Sequence, residues 1–297
     1  MADPRVTVVI VTWNSAAVID ACVRSLDAGA RRTTFEVVVV DNASSDATVA
    51  IARDARPGVR AITNATNRGL AAANNQGIAA ARGDYVLVSN PDVEYGPGAI
   101  DALVDLLDRR ARAAFAIAHL VRPDGTTQTA VGDLPTLGSA LRGRQWHHRH
   151  AATEGFWWDG WAHDEERAVG HGMEAAYLVR AAAIAEVGPQ DERFRLDWEG
   201  IDWSERMTAA GREIWFCPAA TVVHRGGDSL RQAQARWIVR SHRGMYRYFA
   251  LRSRPIARPA LAVLFAGRAA VKLVAARLGA ADYDAGNPGS TSPSVPG

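Results

Sequence analysis

The sequence predicts an α/β fold: a mostly parallel central sheet with helices on both faces, followed by a C-terminal helical extension. Three observations carry this. Val6-Thr7-Val8-Val9-Ile10-Val11-Thr12 is too continuously apolar and β-branched for a half-exposed strand, and suits a central parallel one. Strand-like and helix-like segments then alternate as far as Val121, which is the pattern of βαβ units. Finally, Val86-Leu87-Val88 runs into Ser89-Asn90-Pro91-Asp92. Pro91 ends the internal strand, and a carboxylate arrives at its C-terminal edge, where open α/β sheets bind ligands.

The elements follow in order. After the first strand, Trp13-Asn14-Ser15 leads to a helix over Ala16–Asp27, with Ser15 as its expected N-cap. Phe35–Val40 is a second buried strand ending in Asp41-Asn42-Ala43-Ser44-Ser45-Asp46. Val59–Thr63 is a shorter third strand, ending at Asn64-Ala65-Thr66-Asn67-Arg68-Gly69, and a helix over Leu70–Arg82 precedes the organising strand. Pro97 suits a helix N1 position ahead of a helix over Ala99–Arg110. Past the strand Ala113–Val121 the alternation breaks. The stretch 134–168 holds Trp146, Trp157, Trp158 and Trp161 with His147, His148 and His150, an aromatic irregular segment that reads as a functional or a mobile loop. A more regular portion from Gly170 to Gly188, a helix near Trp198–Ala210 and a strand at Glu213–Cys217 complete the domain, which closes at His224–Ser229.

The expected organisation is an α/β domain over 1–229, basic amphipathic helices over 230–285, and a Pro/Ser/Gly-rich disordered tail over 286–297. Pro259–Gly267 is apolar but is interrupted by Arg268 and Lys272. It therefore falls short of the ~20 residues of a membrane span. Leu261, Leu264 and Phe265 fit the apolar face of a helix lying on a membrane surface.

Bulk composition is that of an ordinary globular protein: 297 residues, 48% hydrophobic, 22% charged, net charge +2. Two distant cysteines, Cys22 and Cys217, exclude a disulfide framework and a zinc-finger spacing, which suits a reducing cytoplasm. Met1 to Arg5 leads straight into a strand, so no signal peptide is expected. Charge is unevenly placed. Arg225–Arg277 carries twelve Arg and Lys against Asp228 alone, a net +11 that leaves −9 for the rest. That asymmetry points to a phosphate-rich partner near the C-terminus. No GxGxxG or GxxxxGK[ST] stands at a strand–helix junction, so the usual dinucleotide and P-loop cradles are absent.

What remains is a set of carboxylates at strand ends: Asp41, Asp92 and the cluster Asp197-Trp198-Glu199-Gly200-Ile201-Asp202. With Val11-Thr12-Trp13-Asn14-Ser15, Asn67-Arg68-Gly69, Asn90-Pro91-Asp92, and His224 with Gly227 and Ser229, these residues resemble a family 2 inverting glycosyltransferase. The similarity is to the GT-A (nucleotide-diphospho-sugar transferase) fold and the branch with rhamnosyl- and galactofuranosyl-transferases, and it runs from about Val6 to about Ser229.

The resemblance implies the following roles. Asp41 accepts a hydrogen bond from the nucleotide base, Thr12 and Asn14 lie near base and ribose, and Asn67 and Gly69 line the pocket floor. Asp92 is the last acid of the family's DxD element and a metal ligand, with Asn90 in place of the first acid. His224 matches a histidine that completes the metal site. A divalent cation, Mg²⁺ or Mn²⁺, would stabilise the departing diphosphate, and an imidazole ligand tilts the choice towards Mn²⁺. The proton acceptor departs from the family's Glu-Asp-x-Asp, because Gly200 stands at the expected base position. Glu199 is the first replacement, then Asp202, then Asp197.

Structural readings compete at each position. Asp92 suits a turn, Asp41 an Asx-turn with the residues after it, and His224 a satisfied structural histidine. Trp13 is read as packing. The expected reaction moves a sugar, first of all rhamnose from dTDP-rhamnose, to a hydroxyl of a polyprenyl-diphosphate-linked saccharide at the inner leaflet, with no nucleic-acid partner. The alternatives are a sugar-nucleotide pyrophosphorylase, which wants a glycine-rich basic loop where Thr12–Ser15 stands, and a non-catalytic binder of anionic lipid or nucleotide.

Overall fold

A computed structural model describes residues 3–142, 150, 153–194, 197–226 and 234–278. Trp146, His147, His148, Gly227, Ser229 and the 286–297 tail lie outside the described residues.

The first half of the chain folds as β1 (Val6–Thr12), α1 (Ile19–Gly29), β2 (Phe35–Asp41), α2 (Thr48–Ala55), β3 (Arg60–Thr63), α3 (Leu70–Ala79), β4 (Tyr85–Ser89), β5 (Val93–Tyr95), α4 (Ala99–Arg109) and β6 (Ala113–Val121). Short pieces follow: β7 (Val131–Gly132), α5 (Leu137–Arg142), β8 (Arg167–Ala168) and β9 (His171–Gly172). Then come β10 (Ala176–Arg180), α6 (Ala181–Val187), α7 (Glu199–Ala209), β11 (Glu213–His224), α8 (Gln234–Leu251) and α9 (Arg258–Arg277).

The main sheet has the order β3-β2-β1-β4-β10-β6-β11-β5, with β8 on β11. β1 to β4, β6 and β11 run one way, whereas β10, β5 and β8 run against them. The C-terminal ends of six strands therefore share one edge, and that edge collects Thr12, Asp41, Asn90 and His224.

Both faces of the sheet are covered, which is why β1 reads as continuously apolar. Val6, Val8 and Ile10 pack with Ile19, Val23, Leu26, Ile100 and Leu103 of α1 and α4. Val9 and Val11 point the other way, with Ala73 of α3 and Trp203 and Met207 of α7. Each such fully buried aliphatic side chain contributes about 1.5–3 kcal/mol. Gly77 lets α3 lie directly on β1, since a Cβ there would stand 2.2 Å from a methyl of Val9.

Four sequence expectations need correction. Ser15 does not cap α1 with its side chain: its carbonyl accepts the Val18 and Ile19 N–H groups through a preceding turn, and α1 starts at Ile19. Pro97 precedes the cap of α4 rather than opening the helix, because Gly98, at φ +75°, takes the cap position. The last strand does not end at Cys217. Pro218, which lacks the N–H of a ladder residue, sits in an irregularity between Cys217 and Thr221, and β11 resumes alongside β6 to reach His224.

The fourth concerns the C-terminal helices. Pro255–Arg277 is continuous enough to be long and apolar enough to cross a membrane by length and composition, with mean hydropathy 1.6, so the apolar segment is longer than expected. Leu261 and Phe265, expected on the outward face, are instead buried with Phe156, Trp198, Tyr248 and Phe249. The outward face of α9 and its preceding turn carries Ile256, Val263, Leu264, Val271 and Val274.

Candidate active site

At the first two strand ends, register pairs Thr12 with Asp41. The Asp41 carboxylate is buried and accepts the Thr12 hydroxyl at 2.9 Å, the Ser44 N–H at 3.0 Å and the Ser44 hydroxyl. An Asx-type turn thus fixes the carboxylate. Asn14 (φ +51°) and Ala43 (φ +66°) hold left-handed backbone without being glycine, a strain that clusters at ligand sites. They are locked together: Asn14 N–H donates to Ser44 Oγ at 2.8 Å, and Asn14 Oδ1 accepts the Ser45 N–H at 2.8 Å. Asn67 Oδ1 accepts the Gly69 N–H at 3.0 Å, and Asn42 Nδ2 reaches the Gly69 carbonyl at 3.2 Å, which ties this third loop to the second. Thr12, Asn14, Asp41, Asn67 and Gly69 are therefore one linked edge. Trp13 departs from its packing reading: it is 53% exposed on that edge.

At the centre, Asn90 N–H donates to the Ala175 carbonyl at 2.8 Å, and the turn through Pro91 and Asp92 leads into β5. β5 pairs antiparallel with the end of β11, His224 opposite Val93, and so closes a long sequence separation. His224 Nε2 stands 3.5 Å from Asp92 Oδ1. His224 Nδ1 meets Gln128 Oε1 at 2.9 Å, so Nδ1 carries a proton and Nε2 is the ring nitrogen turned toward the carboxylate. Burial raises the Asp92 carboxyl, but His224 and nearby backbone N–H groups outweigh it, and the net shift is downward.

A carboxylate and an imidazole nitrogen facing one another, with the other ring nitrogen held by a hydrogen bond, is a donor set that fits a divalent cation, which would take the place of the Nε2 proton. Among the described residues no group of three His, Cys, Asp or Glu side chains converges. The protein would supply two ligands, which leaves room for diphosphate oxygens and water.

The acids around α7 divide in two. Asp202 turns away from the edge into ion pairs with Arg206 at 3.0 Å and Arg252 at 2.9 Å. Glu199 is 0% exposed, and neither carboxyl oxygen has a hydrogen-bond partner among the described residues. Burial first, then the charges of Glu174 and Asp197, push its pKa well up, so it stays protonated. Asp197, at φ +59°, is raised to about 6 by burial.

Sequence reasoning missed Glu174, which stands just before β10. Its Oε1 accepts the Tyr177 hydroxyl at 2.9 Å and the Gln190 amide. Burial, partly offset by these donors and by Glu199 and the Gly200 N–H, brings it to about 7. Gln128 was missed as well. Neither carries a sequence signal beyond the unexplained glycine at 200.

A mostly parallel sheet whose exit edge carries linked polar loops, a carboxylate–imidazole pair and an adjoining acid cluster has the architecture of a GT-A glycosyltransferase. The comparisons agree. The Glycosyl transferase family 2 profile matches residues 7–164, and the chain belongs to that family. The N-acetylglucosaminyl-diphospho-decaprenol L-rhamnosyltransferase of Mycobacterium tuberculosis (strain ATCC 25618 / H37Rv) is 31% identical over 264 residues, covering 82% of this chain and 83% of the relative.

Among solved structures, mannosyltransferase PcManGT from Pyrobaculum calidifontis, in complex with GDP-Man and Mn²⁺, matches with a TM-score of 0.56 at 19% identity. The match covers 96% of this chain and 78% of that one. GalNAc-T7 with UDP, GalNAc and Mn²⁺ matches with a TM-score of 0.57 at 15% identity, over 76% of this chain and 44% of that one, so the chain spans under half of that protein. These likenesses show the fold. Family membership sets the pyrophosphorylase alternative aside.

Proposed function

We propose that the protein transfers a sugar, L-rhamnose from dTDP-rhamnose as the first donor to test, to a hydroxyl of a polyprenyl-diphosphate-linked saccharide, with inversion at the anomeric carbon. The observation that carries this is the facing of Asp92 and His224 at the sheet's exit edge, in a chain related to a decaprenol-linked rhamnosyltransferase. Asp92 and His224 would hold Mg²⁺ or Mn²⁺, with the imidazole favouring Mn²⁺. Once bound, the cation would offset the charge that develops on the departing nucleoside diphosphate. Gln128 keeps His224 in the tautomer that can bind it. Thr12, Asn14, Asp41, Asn67 and Gly69 form the nucleotide rim, with Asn90 beside the sugar and Trp13 free to stack on the base.

The acceptor reading draws on the C-terminal helices. α8 packs Tyr248 5.2 Å from Trp198, next to the acid cluster, and α9 packs on α8. The outer stripe Ile256, Val263, Val271 and Val274 is apolar and exposed. Such a stripe suits the acyl boundary of the inner leaflet. The protein would then work from the cytoplasmic face, peripherally attached, with its acid cluster close to a lipid-linked acceptor.

The test is transfer and donor hydrolysis over a panel of nucleotide sugars with Mn²⁺, Mg²⁺ or chelator. Metal-dependent turnover that Asp92→Ala abolishes in a folded protein is expected. Turnover unchanged by chelator and by Asp92→Ala would remove the metal assignment.

A further inference from the structure

We infer that Glu174 is the catalytic residue that takes the proton from the acceptor hydroxyl, standing in for the side chain that Gly200 lacks. This rests on the glycosyl-transfer reading above and names its missing group.

The first ground is space. A Cβ at position 200 would lie 2.3 Å from Glu174 Cδ and 2.6 Å from its Oε1, so the Glu174 carboxyl group fills the volume into which a side chain at 200 would project. Glycine at 200 and glutamate at 174 are thus one steric arrangement: an acid reaches the same place from a different element.

The second ground is delivery. Glu174 precedes β10, whose Ala176 pairs with Ser89, and the Ala175 carbonyl takes the Asn90 N–H. The carboxylate therefore emerges beside the Asn90–Asp92 turn, at the edge where the sugar–phosphate bond must lie.

The third is orientation. Tyr177 from β10 and Gln190 both donate to Oε1, and Gln190 is itself fixed by Asn74 Nδ2 at 3.0 Å. Among the described residues no side chain donates a hydrogen bond to Oε2. Glu174 is half-buried as a whole residue although its carboxyl lies deep, whereas Glu199 is sealed throughout.

Its proton affinity suits the task. The titratable groups facing Glu174 are Tyr177 and Glu199, with Asp197 behind Glu199. Tyr177 stays protonated and donates to the carboxylate, and Glu199 stays protonated beside it. Burial leaves Glu174 at about 7, close to a working pH, where a general base is most effective.

In the step itself, the acceptor O–H proton passes to Glu174 and the acceptor oxygen forms the new bond to the anomeric carbon. The bond from that carbon to the diphosphate breaks, and its electron pair leaves with the nucleoside diphosphate.

The test uses the full chain, the donor panel and a polyprenyl-diphosphate N-acetylglucosamine acceptor. Glu174→Gln should cut kcat for transfer by about 10²–10⁴-fold, with nucleoside-diphosphate affinity in Mn²⁺ and Tm close to wild type. The acidic limb of the wild-type rate profile, near pH 7, should vanish with it. Glu174→Ala combined with Gly200→Asp frees the volume and refills it with an acid; it should recover transfer relative to Glu174→Ala alone, with the limb moved to lower pH. A folded Glu174→Gln that transfers within about three-fold of wild type would overturn the assignment while leaving the glycosyl-transfer reading intact. Wild-type protein that transfers from no donor would sink that reading, and the assignment with it.

Discussion

Asp202 Oδ1 lies 2.9 Å from Arg252 Nη2 while its Oδ2 lies 3.0 Å from Arg206 Nε, so one buried carboxylate pins α7 to α8. Removing it leaves Arg252 with Glu205 and the Tyr248 carbonyl, and Arg206 with the Val187 and Pro189 carbonyls. Asp202→Ala should therefore cost about 2 kcal/mol of stability, the range of a lost hydrogen bond to a charged group, and loosen α8. The folded fraction should still bind nucleoside diphosphate normally. Thermal melting with a binding titration measures this. A variant of unchanged Tm with no transfer would return Asp202 to the chemistry.

Gln128 touches the candidate metal pair only through His224 Nδ1. Gln128→Leu should therefore weaken Mn²⁺-dependent nucleotide binding by about 10–100-fold, the usual loss when the group orienting a ligand histidine is removed. Calorimetry with and without chelator reads it. Unchanged Mn²⁺ dependence would show that His224 is a structural histidine.

The acid cluster makes stability depend on pH with a definite sign. Glu174 at about 7 and Asp197 at about 6 are raised above the ordinary 4.5 and 3.8, and Glu199 is raised further. The native state then holds protons that the unfolded chain has released. Stability is fully present below about pH 4 and is lost as pH rises through about 6–7. Glu199→Gln removes the most buried of these acids. Its Tm relative to wild type should improve steadily from pH 5 to pH 8, and a flat difference across that range would contradict the shifts.

Trp13, exposed on the nucleotide rim, should be nearly silent for folding and costly for donor binding. Trp13→Ala should weaken nucleoside-diphosphate affinity by about ten-fold, the lower part of the ~1–3 kcal/mol that a base–aromatic stack provides. Equal affinities in the two proteins would mean that the ring serves some other contact.

The sheet was legible in the sequence because burial on both faces writes itself as an unbroken β-branched run, as in Val6–Thr12 and Val37–Val40. The edge was legible because polar residues follow each run abruptly, which marks Asp41 and Asp92, whereas His224 is marked by the family resemblance alone. Local punctuation misled where tertiary contacts outvoted it. Ser15 reads as a cap yet serves through its carbonyl, and Pro218 reads as a strand end yet sits in a bulge. Trp13 reads as packing because nothing local tells a packed indole from an exposed one. Glu174 could not be found from its neighbours in sequence. Its meaning comes from the empty place at Gly200, which lies across the fold on α7.

The exposed stripe on α9 bears on how the protein behaves in a test tube. Ile256, Val263, Val271 and Val274 face outward without a charge among them, so in plain buffer the molecule has reason to pair with its own kind or to coat vessel walls. Detergent concentration, more than ionic strength, should then govern its apparent size on a sizing column and its specific activity after dilution.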